Sequence, residues 1–260
     1  MRLFFVVLAS ALFLGGCVSS ESSVTTKNSG SGIATQFDPK GASETRIKLA
    51  LVYLRKDDMQ SAKQNLDKAL EYQPNSANVL RIFAYYYQRV NENETAEEYY
   101  KKSLRIDSKN ADTYNNYGTF LCSLTRYEEA EKAFLKAVDQ TTYTGVANTY
   151  ENAAVCAEQA MATEKAIFYY QYALSHNPNK SYINLSLAKL NIDKQDYSAA
   201  RLNLFNYQKQ SKTSAESLWQ WIRLSYATQK GASLSKYAGQ LLEQFPDSQR
   251  ALDYLNHEYY

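Results

Sequence analysis

Residues Ala111 to Ala137 read ADTYNNYGTFLCSLTRYEEAEKAFLKA. Tyr114, Tyr117, Gly118 and Leu121 share one face at helical spacing, and Ala130, Phe134 and Ala137 share one face of a second helix after a break at Leu124–Tyr127. Gly118 and Ala130 are small where bulk would be expected. That suits two helix backbones in close approach, since ridges enter grooves only where contact residues are short. A hairpin this small cannot bury its own apolar face and needs neighbours.

The chain supplies them at a period of 34 residues. The Ala130 position recurs as Ala62, Ala96, Ala166 and Ala200, and the Gly118 position as Ala50, Ala84, Ala154 and Ala188. The Ala137 position recurs as Ala69, Ser103 and Ala173 and loosens to Tyr207. Bulk opposes the small residues at Leu66, Tyr100, Phe134, Tyr170 and Leu204. Pro74, Pro178 and Pro246 fall where second helices should stop. The units run 43–76, 77–110, 111–144, 147–180 and 181–214, with Gly145 and Val146 inserted between the third and fourth. A degenerate sixth, 215–248, has Leu234 at the alanine position, and Ser248–Tyr259 reads as one closing helix. This pattern resembles the tetratricopeptide (TPR) repeat. The resemblance implies an all-α fold: a right-handed superhelix of about six helix pairs plus a C-terminal capping helix, with a concave inner face.

Lys plus Arg number 29 and Asp plus Glu 27, with no basic stripe, so a nucleic-acid partner has no electrostatic footprint. The 23 tyrosines suit half-buried positions, apolar at one end and wet at the other. His176 and His257 lie far apart in sequence, and neither a metal cluster nor a catalytic constellation stands out. We therefore expect no enzyme, no metal, no cofactor and no small-molecule substrate.

Residues 1–16 open with Met-Arg and carry an apolar run from Leu3 to Leu14, a secretory signal too short for a permanent span. The run ends Leu14-Gly15-Gly16-Cys17, which resembles a bacterial lipobox. An ordinary signal with an incidental cysteine is the alternative. Lipidation at Cys17 would anchor the chain, each buried methylene adding about 0.8 kcal/mol. Val18 rather than Asp follows Cys17, which implies an outer-membrane destination facing the periplasm. Residues 17–42, rich in Ser, Thr, Gly and Asn, are expected to be a flexible tether reaching roughly 25–30 Å, and 43–260 the repeat domain.

In the first repeat, Arg46, Leu49, Ala50 and Tyr53 take the positions that pack on the partner helix. Ile47, Leu51 and Leu54 then form another stripe, expected to line the groove. Arg55, Arg81, Tyr85, Gln88 and Arg89 would continue it, and an amphipathic helix or extended segment of a partner would cover it. The alternative cover is the N-terminal tether. Asn115, Asn116 and Asn148 lack the Lys and Arg of grooves that grip a C-terminal carboxylate, and Glu151 and Asn152 stand where cations would help, so no carboxylate clamp is expected. Cys122 and Cys156 sit on first helices of consecutive repeats. Export would favour a bridge between them; two buried thiols are the alternative.

The segments NNYGTFLC (115–122), ENAAVC (151–156), AESLW (215–219) and QFPDS (244–248) are similar to those of the type IV pilus biogenesis and stability lipoproteins, the PilF/PilW-type pilotins. The likeness runs from the lipobox to about residue 250 and departs at Trp221 and over Thr228–Ser233. It implies that Cys122 and Cys156 coincide with the family's own cysteine pair. It also implies a non-enzymatic pilotin that binds type IV pilus secretin subunits at its first two repeats and promotes their localisation and multimerisation. A TPR scaffold lipoprotein of another envelope machine, serving barrel insertion or regulating cell-wall enzymes, is the rival reading.

Overall fold

The computed structural model describes residues 37–259. The signal segment, Cys17 and most of the tether lie outside the described residues. Thirteen helices follow one another, and no strand occurs among the described residues: α1 Pro39–Arg55, α2 Met59–Tyr72, α3 Ala77–Arg89, α4 Asn93–Ile106, α5 Ala111–Ser123, α6 Tyr127–Val138, α7 Val146–Gln159, α8 Thr163–His176, α9 Ile183–Asp193, α10 Tyr197–Gln210, α11 Ala215–Ala227, α12 Gly231–Gln244 and α13 Gln249–Leu255. Odd and even helices pair as six antiparallel hairpins, and α13 packs on α11 and α12 as the cap. The all-α TPR expectation holds.

The small-residue rule explains the pairing. Ala50, Ala62, Ala84, Ala96, Ala130, Ala154, Ala166, Ala188 and Ala200 are all fully sealed at 0% exposure. At Gly118 the approach is closest: a Cβ there would stand 2.7 Å from Cε1 of Phe134, whose ring is buried against the backbone. Where Ser103 replaces alanine, its hydroxyl donates to the Ala77 carbonyl at 2.8 Å and meets Thr113 Oγ1 at 3.0 Å, so the buried polar atom is satisfied.

The turn inside each hairpin is built alike. Asp57, Asn91, Thr125, Met161, Gln195 and Gln229 all have φ between 54° and 65°, and none is glycine. Their spacing follows the repeat, widening by two residues between Thr125 and Met161 where Gly145 and Val146 intervene. The left-handed residue lets the next amide close back on the helix: Asp58 N donates to Tyr53 O, Glu92 N to Tyr87 O, Arg126 N to Leu121 O and Ala162 N to Ala157 O at 2.8–3.0 Å.

Two boundaries and one helix face differ from expectation. α1 begins at Pro39, inside the stretch read as tether, because Asp38 accepts from Lys40 N and Pro39 sits at the first helical turn. α13 covers Gln249–Leu255 only; a turn follows it, with His257 left-handed at φ 60°. On α1 the buried stripe is Ser43, Ile47, Ala50 and Leu54, whereas Leu49 is 39% exposed.

Candidate functional site: a trough on the first helices of four hairpins

The first helices α1, α3, α5 and α7 lie side by side and share one open face. On it runs a trough of about 340 Å³, lined by Leu51 from α1, by Arg81, Ile82, Tyr85 and Gln88 from α3, by Tyr100 from α4, by Asn115, Asn116 and Thr119 from α5, and by Asn152 from α7. Four of the expected groove residues, Leu51, Arg81, Tyr85 and Gln88, are thus brought together.

Four are not. Ile47 and Leu54 are 6% and 0% exposed, sealed in a core cluster with Leu66, Val79, Ile82 and Phe83. Their repeat positions lie where the trough floor meets the seam between neighbouring helices. An aliphatic side chain there closes into the seam, while the polar residues at the same positions one repeat on, Arg81 and Gln88, stay in the trough. Arg55 is exposed at the end of α1 and does not line the trough. Arg89 is spent on structure, donating to Leu54 O at 2.9 Å and to Asp57 Oδ1 at 2.8 Å, which ties α3 to the turn of the first hairpin.

The α5 and α7 wall is not among the residues the sequence pattern assigns to a partner. The signal was present: Asn115 and Thr119 stand 34 residues beyond Arg81 and Tyr85, in phase with the repeat. The wall is made of linked amides. Asn152 Nδ2 donates to Asn115 Oδ1 at 3.0 Å, and Asn115 Nδ2 reaches Asn116 Oδ1 at 3.4 Å. Amides carry both donors and acceptors, the complement of a peptide main chain. Across the trough, Tyr100 is buried and its hydroxyl donates to Gln88 Oε1 at 3.3 Å. Burial pushes the Tyr100 hydroxyl far above the usual tyrosine range, so it stays protonated. Burial lowers the Arg81 pKa, with the charge of Asp112 pulling the other way; the guanidinium remains a cation. The trough lining holds this one cation and no carboxylate.

Beside the trough, Cys122 of α5 and Cys156 of α7 are joined by a disulfide with Cα atoms 5.8 Å apart. The bridge ties the third hairpin to the fourth across the two-residue insertion. Carboxylates on the second helices reinforce this joint, through Glu131, and the joint before it, through Glu97. Glu97 accepts from Tyr117 at 2.8 Å and from Arg126 at 2.7 Å, and Glu131 accepts from Tyr169 at 2.6 Å and Lys165 at 2.7 Å. The Arg126 guanidinium, helped by Lys101 and Tyr117, holds Glu97 down at about 2. His176 stacks on Tyr150, and among the described residues no three His, Cys, Asp or Glu side chains cluster as metal ligands.

Tetratricopeptide-repeat family models match residues 43–76 and 82–110, and a further one 99–132. The type IV pilus assembly protein PilF of Pseudomonas aeruginosa is 32% identical over 246 residues, 94% of each chain. The chain belongs to the PilF/PilW family of type IV pilus biogenesis TPR proteins. The solved structure of Pseudomonas aeruginosa PilF superposes on this PilF/PilW-family chain with a TM-score of 0.70, at 31% identity, over 84% of this chain and 99% of that one. The crystal structure of PilW, a type IV pilus biogenesis factor, does so with a TM-score of 0.70 at 26% identity, over 82% and 98%. An uncharacterized Haemophilus influenzae protein is 38% identical over 127 residues, 49% of this chain and 71% of that one.

Proposed function

We propose that this PilF/PilW-family protein is an outer-membrane-anchored pilotin: lipidated at Cys17, it binds type IV pilus secretin subunits in its trough and promotes their localisation and multimerisation. The observation that carries the reading is the trough itself, in a chain 32% identical throughout to a type IV pilus assembly protein. A surface apolar at Leu51 and Tyr85 and lined with amides at Asn115, Asn116 and Asn152 suits an extended polypeptide. Nothing in the trough resembles a nucleophile with its base, which fits a binding role rather than catalysis. Signal, lipobox and low-complexity stretch supply, on this reading, the address and the reach.

The test is co-purification of the full chain from the native envelope, paired with Cys17→Ala. The expected outcome is secretin in the eluate, loss of Cys17→Ala from the membrane fraction, and loss of secretin multimers and surface pili in a deletion strain. Recovery of barrel-assembly proteins or cell-wall enzymes in place of secretin, with pili intact, would contradict it.

A further inference from the structure

The guanidinium of Arg81 is the one charge in the trough lining. It stands half-buried on α3 and, among the described residues, makes one hydrogen bond, to Asn78 Oδ1 on its own helix. A guanidinium carries five donors. Arg89, Arg126, Arg223 and Arg250 each sit on a carboxylate at 2.7–2.8 Å. Among the described residues, no carboxylate lies within 4.0 Å of Arg81. Asp112, on the next first helix, acts on it only through space. A partly desolvated cation with unused donors in an open trough is a costly arrangement in the free protein, and a carboxylate brought by a ligand would relieve it through paired, charge-assisted bonds.

The position of Arg81 decides which carboxylate. α3 lies between α1, which contributes Leu51, and α5 and α7, which contribute Asn115, Asn116 and Asn152. A segment that uses both the apolar end and the amide wall passes over Arg81 in mid-chain. The carboxylate is therefore a side chain, with main chain continuing on either side. This is unlike a clamp for a chain terminus, whose cations are absent from the α5 and α7 wall.

We propose that the trough selects its partner by an internal Asp or Glu seated on Arg81, with an aliphatic neighbour against Leu51 and Tyr85 and main chain bonded to the Asn115–Asn152 amides. This deepens the trough's reading as the partner groove and rests on it.

The probe is a random twelve-residue peptide library, displayed with both ends embedded in linker so that no free terminus is offered, panned on the full chain. Bound peptides should share an Asp or Glu within a few residues of Leu, Ile, Val or Met. Changing that acid to its amide should weaken binding roughly 10- to 100-fold, the range for hydrogen bonds to charged groups. Arg81→Gln should weaken the acidic peptide by a similar factor and be indifferent to the amide change, the signature of direct coupling. Because the acid-to-amide change is made on the peptide, this arm survives any folding defect of Arg81→Gln. No binders, or binders without an acid, would overturn the proposal. Secretin captured equally by wild type and Arg81→Gln would overturn it while leaving the pilotin reading intact. Acid-dependent peptides with no secretin captured would do the reverse.

Discussion

The middle of the array and its C-terminal end are made from the same hairpin, and both carry ion pairs between neighbours, yet among the described residues only the middle is riveted covalently. From Ala84 to Leu190 one unbroken cluster of buried residues runs through α3 to α9, overlaid by the Cys122–Cys156 bridge and the Glu97 and Glu131 latches. Beyond it lie two small clusters, one joining Ala188 to Leu224 and the other Leu218 to Ala251. There Trp221 stacks on Tyr237 but its buried indole Nε1 finds no hydrogen-bond partner among the described residues. In a stack where each hairpin touches only its neighbours, stability is local, so cross-links go where local stability matters. The riveted stretch carries the α3, α5 and α7 parts of the trough. Rigidity there lowers the ordering cost of binding an extended segment.

The comparison can be broken at its densest point. Phe134→Ala removes the ring that fills the space over Gly118 and should cost about 3–5 kcal/mol, read by chemical denaturation as early loss of the middle hairpins. Leu241→Ala, at a fully buried site in the end cluster, should cost about 2–5 kcal/mol and be felt in α11 to α13 alone. Amide exchange would show a middle defect spreading both ways if the riveted stretch is one cooperative unit.

Reducing the Cys122–Cys156 bridge comes next. It closes a loop of 34 residues, and its loss should cost about 2–4 kcal/mol on chain-entropy grounds. Melting with and without reductant, against a Cys122→Ala, Cys156→Ala control that shows no reductant effect, measures this.

Acid sharpens the comparison further. Glu97 has its pKa depressed from 4.5 to about 2, and its side chain is only 19% exposed. Its contribution, at most about 3 kcal/mol, is complete above pH about 4.5 and is lost as the pH falls toward about 2. Glu97→Gln should be less stable than wild type at neutral pH, and the gap should close over that window. A gap that does not change with pH would show that the latch is not ionic.

The smallest effect lies in a turn. Thr125 is β-branched and held at φ 59°. Thr125→Gly should stabilise by about 1 kcal/mol, since the left-handed conformation costs a branched residue more than glycine. A rise of a few degrees in melting temperature checks it.

Most of this fold was legible in the sequence, because a packing rule that repeats has to recur in phase. The alanines at the hairpin seams and Gly118 under Phe134 were readable for that reason. So were the hairpin limits, apart from Asp38-Pro39, whose capping signature was overlooked within a polar stretch. The trough was half legible. Polar residues at divergent positions, such as Arg81 and Gln88, have no reason to be in a helix seam and do line the trough. Ile47 and Leu54 misled because an aliphatic residue at a boundary position serves seam and groove equally well in a pattern, and burial against Val79 and Phe83 decides for the seam. The amide wall is not legible from any single asparagine, because Asn115, Asn116 and Asn152 make a surface only as a set spanning α5 and α7.

On the proposed function, the face shared by α1, α3, α5 and α7 receives the secretin. Photo-crosslinking in the native envelope tests it directly, with a photoreactive residue placed at Gln88 in the trough or at exposed Leu202 on α10 as control. Gln88 should give a secretin adduct and Leu202 none; adducts from Leu202 alone would contradict the proposed function.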